Sequence, residues 1–265
     1  FQSKDPTTAR PIRVITVDPY FVQSAIFLDS DDIVFRYNHY YHLLRHFRPG
    51  FQKTLMIGGA GYTFPREYLR TYPNSSIDVV EIDPGMTQIA RGHFRLKDDP
   101  RMRVIHTDGR VFLNQTEAGI YDAVLMDAFG SLFSVPYQLT TVEAVRQIDR
   151  ALKPGGIVIL NLGSAISGSG SLFLRAELKT FIEVFADVRV FKVRPEYRDD
   201  ELQNIILIAC KTECSSNASG DPEIAALLQT AYRSEIPLDV PVLTDDLAPV
   251  EYYNSFALDL YQKSR

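Results

Sequence analysis

The sequence lacks several features that would assign it to common classes of protein. It has no run of about 18 apolar residues, so we expect no membrane span within these residues. Lysine and arginine total 28 against 33 aspartates and glutamates, which gives a formal net charge of −5. Because this balance provides no basic field to hold a polyanion, we predict no nucleic-acid partner.

Cysteine is scarce, and its placement bears on metal binding. The chain has two cysteines, Cys210 and Cys214, and no cluster of histidine and cysteine accompanies them. A structural zinc site takes about four such ligands, so we predict no metal. The pair leaves open whether a disulfide forms, since spacing alone does not decide pairing.

The length and composition suit one α/β domain with a small appendage. The chain has 265 residues, of which 45% are apolar. It starts with Phe1-Gln2-Ser3, which resembles the remnant of a protease-cleavable tag, so we expect the natural chain to extend further N-terminally. We assign residues 1–10 to tag remnant and linker, 11–50 to an N-terminal β-hairpin region and 51–265 to a Rossmann-like nucleoside-binding domain.

The stretch from Leu55 to Asp83 has the pattern of a nucleoside-binding unit. A buried strand leads into a turn with three glycines, Gly58, Gly59 and Gly61. Glycine lets a ligand approach the backbone closely. A helix and a second apolar strand follow, and Glu81 at its tip, about 20 residues on, is placed to accept hydrogen bonds from a ribose diol. The spacing is not G-x-G-x-x-G and no Walker lysine follows, which favours an adenosine-type ligand without a pyrophosphate.

The remaining chain reads as a short β region followed by alternating strands and helices. Residues 11–36 are rich in β-formers, and the aromatic segment Tyr37 to Leu44 has helical character. The alternation after Leu55 predicts a parallel sheet, with the last two strands antiparallel. The Gly/Ser-rich run Asn161 to Ser171 predicts a mobile loop that could serve as a lid.

Carboxylates recur where successive strands are predicted to end. Because such ends converge on one crevice, we expect these side chains to be neighbours. We interpret Asp83 as a helix N-cap, and Asp108 as either an adenine contact or the cap of the next helix. Asp127 follows an apolar strand and precedes a glycine-containing loop, which makes it the catalytic candidate. The set is Glu81, Asp83, Asp108, Asp127 and, at the C-terminal end, Asp245 with Asp246.

These motifs, in this order, resemble the spermidine synthase (polyamine aminopropyltransferase) family. The resemblance covers roughly Val14 to Ala209. It rests on the segments Ile57 to Gly61, Val80 to Pro84, Asp108 to Leu113 and Tyr121 to Phe129. The segments DGR, DAF and LTDDLAPVE are most similar to a divergent branch fused to membrane-spanning segments, which implies a possible membrane segment N-terminal to this sequence.

The resemblance implies a fold, a ligand and a set of site residues. The fold would be a Rossmann-like methyltransferase-type sheet with a small N-terminal β-domain, as a homodimer. The ligand would be S-adenosylmethionine or its decarboxylated form, bound as substrate. Carried over by position, Tyr37 and Asp127 would be catalytic. The nucleoside would contact Gly58, Gly59, Gly61, Glu81, Ile82, Asp108, Gly109, Asp127 and Ala128.

Two departures from the family pattern bear on the substrate. Gly61 stands where the family has an aspartate that holds the ligand's aminopropyl amine, and Gly130 stands where it has a second aspartate. Each missing charge-assisted hydrogen bond is worth about 1.5–3 kcal/mol. Losing both should weaken a polycation by roughly 10²–10⁴-fold. The loss at Gly61 also makes room for a ligand carboxylate, so intact S-adenosylmethionine becomes a credible ligand.

Three functions follow from these features. The first is an enzyme that cleaves a C–S bond and releases 5′-methylthioadenosine, either by aminopropyl transfer to an amine such as a polyamine or by intramolecular cyclisation or lyase chemistry. The second is a methyltransferase using the same sulfonium. The third is a non-catalytic nucleoside-sensing module of a membrane protein. We expect the first, in a cytoplasmic domain.

Overall fold

The structure is a computed structural model that describes residues 1–17, 22–128 and 135–263. The sequence predicts a turn at Asp18-Pro19. This pair and the positions Phe129 and Gly130 lie outside the described residues. Within the described ranges the chain forms two sheets, one of three strands and one of seven. No helix of these ranges is long and apolar enough to cross a membrane.

The smaller sheet is N-terminal and antiparallel. Its strands are β1 (Gln2–Lys4), β2 (Pro11–Thr16) and β3 (Val22–Phe27), in that spatial order. The prediction placed residues 1–10 outside the fold, whereas Gln2 pairs with Arg13 at the sheet edge. All three residues of β1 are exposed, so the strand has no alternation of apolar residues that a sequence could reveal.

The connection to the larger sheet is helical, as the aromatic segment predicted. A 3₁₀ helix spans Arg36–Leu43, and α1 (Leu44–Phe47) continues from it. Tyr40, Tyr41 and Leu43 are buried there. The side chains therefore anchor this segment against the larger sheet and fix the position of the residues between them.

The larger sheet and its helices make up the rest of the chain. The strands are β4 (Lys53–Ile57), β5 (Ser76–Glu81), β6 (Met102–His106), β7 (Tyr121–Met126), β8 (Leu152–Ser164), β9 (Asp187–Lys192) and β10 (Gln203–Cys210). The helices are α2 (Thr63–Thr71), α3 (Pro84–His93), α4 (Gly109–Gln115), α5 (Val142–Ala151), α6 (Leu172–Ile182), α7 (Pro222–Leu228) and α8 (Val250–Lys263).

The strand order creates a crevice at the carboxyl ends of β4 and β7. The order is β6-β5-β4-β7-β8-β10-β9, with β10 antiparallel to both neighbours and the first five strands parallel. From β4 the chain continues to β5 and β6 on one side of the sheet. It then returns to β7 on the other side of β4 and continues to β8, so the crossovers after β4 and β7 run in opposite directions. Ligands of open α/β sheets bind at such a switch point. The predicted α/β fold with a terminal antiparallel pair is confirmed.

The Gly/Ser-rich run differs from its prediction as a mobile loop. β8 continues to Ser164, which pairs with Gln203, and a 3₁₀ helix occupies Ser169–Ser171. Ala165 and Ile166 between them are buried. Most of this stretch packs inside the protein, where small residues fit, although Gly168 and Ser169 are exposed. The composition that resembled a flexible lid therefore has a structural origin.

The C-terminal part adds two features that the sequence left open or missed. Cys210 and Cys214 form a disulfide that joins the end of β10 to the following turn. The sequence predicts a helix from Pro222 to Tyr232, whereas α7 ends at Leu228, and α8 was not predicted. Val250, Tyr253 and Ala257 of α8 are buried, so this helix packs its apolar face on the domain.

Candidate active site

A large cavity lies between the N-terminal sheet and the carboxyl ends of the main strands. Its volume is about 1140 Å³. The N-terminal sheet contributes Ile12, Val14 and Phe27 to the described wall. The main domain contributes Gly58, Ala60, Asp127, Asn161 and Gln203, among others. The N-terminal sheet is therefore one wall of the candidate site.

Asp127 lies at the floor of this cavity, directly after β7. Its backbone N–H donates to the carbonyl of Ile57 at 2.9 Å, which holds it against the end of β4. Its carboxylate accepts hydrogen bonds from the Tyr37 hydroxyl at 3.2 Å and from the Asn161 amide at 3.0 Å. Burial raises the pKa of Asp127, and the bonds from Asn161 and Tyr37 oppose that rise. The arrangement gives a carboxylate with an enhanced affinity for a proton.

Tyr37, which the resemblance implied to be catalytic, reaches Asp127 from the 3₁₀ helix. Burial raises the pKa of Tyr37 well above its usual value, and the neighbouring Asp127 charge adds to the effect. Tyr37 therefore stays protonated and donates to Asp127. The two residues proposed as catalytic are brought together by the fold.

Two asparagines behind Asp127 were missed by the sequence interpretation. Asn161 of β8 donates to Asp127, and Asn204 of β10 donates to the Asn161 side-chain oxygen at 3.0 Å. Asn161 is buried and interrupts the apolar run from Ile157 to Leu162 of β8. An amide in such a run needs a buried partner, and that was the available signal.

The glycine turn depends on Gly58 and is braced by Glu81. Gly58 has a φ of +95°, and a Cβ there would lie 2.5 Å from the Asp127 carbonyl, so only glycine fits. One carboxylate oxygen of Glu81 accepts from the N–H groups of Gly59 and Ala60, each at 2.9 Å. The other accepts from the N–H of Asp83 at 2.9 Å. Glu81 thus stabilises the backbone of the turn, and this role is independent of any contact with a ribose.

The structure corrects the reasoning about Gly61. A Cβ on Gly61 would lie 2.3 Å from the Ser24 hydroxyl and 2.8 Å from the ring of Phe94. Gly61 is buried against the N-terminal sheet and is not part of the described cavity wall. The absent aspartate therefore does not make room for a ligand carboxylate at this position. Glycine is needed there because two structural units meet closely.

The other proposed nucleoside contacts lie at or beside the neighbouring strand ends, and they are not among the described lining residues of the cavity: Gly59, Glu81, Ile82, Asp108, Gly109 and Ala128. Asp83 and Asp108 cap α3 and α4, by accepting from Gly85 and from Arg110 and Val111 respectively. The capping interpretation of Asp83 is confirmed. Ile82 is 68% exposed between the two carboxylates of its strand end.

Gly109 and Ala128 both pack against the core of the domain. A Cβ on Gly109 would lie 2.8 Å from the Ile57 side chain, so glycine lets α4 approach the sheet closely. Ala128 is partly buried and packs on the core beneath the sheet. Neither contact tests the proposed role in nucleoside binding.

Asp245 does not join the strand-end carboxylates. It accepts from Arg110 at 2.7 Å and from the Thr141 hydroxyl at 2.6 Å, and neither Asp245 nor Asp246 lines the described cavity wall. The prediction of a shared crevice was wrong here because this segment does not end a strand of the sheet. Asp245 instead fixes α4 to α5.

Comparison with protein families assigns the chain to one of them. Residues 35–199 match the family described as the spermine/spermidine synthase domain. The match spans more than half of the chain, so the chain belongs to that family.

Curated relatives of the chain carry two kinds of transferase names. A polyamine aminopropyltransferase from Vibrio vulnificus is 32% identical over 154 residues, covering 57% of this chain and 49% of the relative. Putrescine N-methyltransferase 1 from Nicotiana tabacum is 37% identical over 122 residues, covering 42% of this chain and 30% of the relative. The chain thus spans at most about half the length of these relatives.

A solved structure supports the fold. A probable spermidine synthase from Corynebacterium glutamicum superposes with a TM-score of 0.68 at 24% sequence identity. The overlap covers 86% of this chain and 85% of that protein. The predicted α/β fold is therefore shared with this solved structure.

Proposed function

We propose that this chain cleaves a C–S bond of an adenosyl sulfonium and transfers the released alkyl group to an amine. The observation that carries the proposal is Asp127, a carboxylate at the switch point of the sheet, facing the cavity and bonded to Tyr37 and Asn161. Family membership supports aminopropyl transfer as the reaction, with decarboxylated S-adenosylmethionine as donor.

The proposed step uses Asp127 as proton acceptor. The acceptor's amine nitrogen attacks the propyl carbon bonded to the sulfonium, a new C–N bond forms, and the C–S bond breaks with its electrons returning to sulfur. The amine proton passes to Asp127, and 5′-methylthioadenosine leaves. A carboxylate with a raised pKa is a better base than one at its ordinary value. Tyr37 and Asn161 fix its orientation toward the cavity.

We further propose the positions of the nucleoside contacts. Glu81 would hold the ribose and Asp108 the adenine, with the exposed Ile82 side chain against a face of the base. Gly58, Gly59, Gly109 and Ala128 would shape the pocket through their backbone, whereas Gly61 is excluded from it by its packing against Ser24. The support is their location at adjoining strand ends around one switch point.

Methyl transfer is the second candidate, and it is favoured by the match to tobacco putrescine N-methyltransferase. The same sulfonium would then lose its methyl group and leave S-adenosylhomocysteine or its decarboxylated form.

Intramolecular cleavage of S-adenosylmethionine remains a prediction, and so do a homodimer, a membrane segment and a sensing role. A cytoplasmic location also remains a proposal. The Cys210–Cys214 disulfide argues against it, because disulfides are typical of oxidising compartments.

Incubation with each sulfonium separately, with and without putrescine, tests the proposal when products are read by mass spectrometry. We expect 5′-methylthioadenosine and an aminopropylated amine. Methylthioadenosine without an acceptor would indicate intramolecular chemistry, and S-adenosylhomocysteine or its decarboxylated form would indicate methyl transfer. Tight nucleoside binding without any product would contradict an enzymatic function.

A further inference from the structure

Gln203 lines the cavity, and its side chain carries a buried hydrogen-bond donor without a partner among the described residues. It begins β10 and is 8% exposed. Its side-chain oxygen accepts from the N–H of Arg194 at 2.8 Å, which fixes the orientation of the amide. Its nitrogen has no partner among the described residues. Since buried donors are nearly always bonded, this nitrogen calls for an acceptor oxygen from a ligand.

The carboxylates of the cavity offer a place for one ammonium group. Three of them are already paired with arginines, Asp32 with Arg10, Glu67 with Arg70 and Glu223 with Arg45. Arg10 is shared with Asp29, and Arg45 is shared with Asp221. Asp5 accepts from the Thr8 hydroxyl and backbone instead. Asp127 is partly buried and has purely neutral donors, and burial raises its pKa, whereas the pKa of Asp5 is lowered by its bond from Thr8. A ligand ammonium would therefore bind at Asp127.

The cavity wall near Gln203 carries a surplus of positive charge. Arg36 and Arg194 both line the cavity, and they share one carboxylate, Glu196, at 2.7 Å and 3.6 Å. Arg36 precedes Tyr37, and the backbone of Arg194 bonds to Gln203. A second ammonium on the ligand would meet this surplus, whereas a carboxylate would be attracted to it.

We propose that the cavity binds an amino-acid group, with its ammonium on Asp127 and its carboxylate toward Gln203 and the Arg36–Arg194 pair. This proposal rests on the proposed function and specifies its ligand. The expected ligand is then not a polyamine but a molecule with one positive and one negative end. Such a group has two sources, the methionine tail of intact S-adenosylmethionine or a separate amino-acid acceptor.

The first arm of the test compares donors. Isothermal titration calorimetry of the protein with S-adenosylmethionine and with its decarboxylated form measures the effect of one carboxylate. If the donor is the source, the intact form binds roughly tenfold to a hundredfold more tightly, as one charge-assisted bond would give.

The second arm compares acceptors of equal chain length in the presence of saturating 5′-methylthioadenosine. The probes are 4-aminobutanoate, 4-aminobutan-1-ol and putrescine (1,4-diaminobutane), which differ at one end only. If a separate acceptor is the source, affinity falls in that order, with putrescine at least tenfold weaker than 4-aminobutanoate.

Variants connect the preference to the residues that carry it. Gln203→Leu should abolish the carboxylate preference, and Arg194→Gln should reduce it about threefold to tenfold by removing charge at a partly exposed side chain. The second variant keeps the test valid if Gln203→Leu does not fold. Arg198→Gln is the control, because Arg198 pairs with Asp200, is exposed and does not line the described cavity wall.

The outcomes separate this inference from the proposed function. A carboxylate preference in either arm that Arg194→Gln reduces supports the inference, even if no turnover occurs. Tighter binding of decarboxylated donor together with putrescine as the best acceptor overturns it, even if methylthioadenosine is released and the proposed function stands.

Discussion

At the scale of single residues, the site depends on how Asp127 is paired. Its partners are a phenol and an amide, which donate hydrogen bonds but bring no positive charge. A buried carboxylate without a cation holds protons more strongly than one in water, which is why its pKa is raised. A ligand ammonium would supply the missing charge and deliver the proton that the base removes.

Tyr37→Phe should weaken the base at acidic pH. The variant loses a donor to the charged form of Asp127, so the pKa of Asp127 rises further and the acidic limb of the kcat/KM profile moves to higher pH. Below the wild-type limb, we expect kcat/KM to fall about tenfold. Tyr40→Phe is the control, since its hydroxyl bonds to Lys192 and Thr230. An unmoved limb in Tyr37→Phe would contradict the pairing.

Glu177→Leu should stabilise the protein. Glu177 of α6 is buried, and both its carboxylate oxygens lack a hydrogen-bond partner among the described residues. Burial raises the pKa of Glu177 well above its usual 4.5. Because the folded pKa is raised, stability is lost as pH climbs from 4.5 through the folded value.

Urea unfolding of Glu177→Leu between pH 5 and pH 9 measures this effect. Replacing an unsatisfied polar group by an apolar one should add about 1–3 kcal/mol and flatten the pH dependence. Glu183→Gln, at an exposed position just after α6, should change neither property. A destabilised Leu variant with the wild-type pH dependence would show that Glu177 is satisfied in solution.

At the scale of elements, the turn after β4 is held by the strand beside it. Glu81 at the end of β5 accepts three backbone hydrogen bonds, two of them from this turn. A ligand at the turn therefore meets a surface that is already formed, which lowers the entropy cost of binding.

Glu81→Gln should lower the affinity for 5′-methylthioadenosine by tenfold or more, because one side-chain oxygen cannot satisfy both the turn and the Asp83 N–H. Calorimetry measures the change. The matched control is Asp83→Asn, which replaces an acid by its amide two residues later and keeps the N-cap of α3. Equal affinities for Glu81→Gln and wild type would remove Glu81 from the nucleoside site.

The elements with strong patterns could be predicted, and the misses have physical causes. All six residues of β7 are buried, so its apolar run identified the strand and placed Asp127 at its end. The exposed β1 pairs through its backbone alone and gave no pattern. The prediction ended β8 too early, because the glycine and serine at its C-terminal end, which pair with β10, have the composition of a loop.

The candidate site was predictable as single residues but not as a network. Tyr37 was identified through resemblance, and its partner Asp127 through position. The Asn161–Asn204 contact joins residues 43 positions apart on two antiparallel strands, and no local pattern indicates such a pair. The orphan nitrogen of Gln203 likewise depends on its pairing with Arg194.

At the scale of the whole molecule, the N-terminal sheet closes the cavity and contacts the glycine turn. Arg95 and Arg66 of the main domain bond to Asp31 in the segment after β3, and Gly61 lies against Ser24. The close approach at Gly61 explains a departure from the family motif as a packing requirement.

Gly61→Asp should therefore destabilise the protein without improving putrescine binding. Overpacking of this kind costs about 1–3 kcal/mol, which a thermal melt would record as a lowered Tm. Adding Ser24→Gly removes the nearest atoms and should recover part of the loss. An unchanged Tm with tighter putrescine binding would show that position 61 faces the ligand after all.

The most direct test of the whole account is the rate of 5′-methylthioadenosine release by Asp127→Asn, measured beside its affinity for that nucleoside. We predict that kcat falls roughly 10²–10⁴-fold, as expected for loss of a general base, while the nucleoside affinity stays within about twofold of wild type. Release at the wild-type rate would contradict the central role of Asp127.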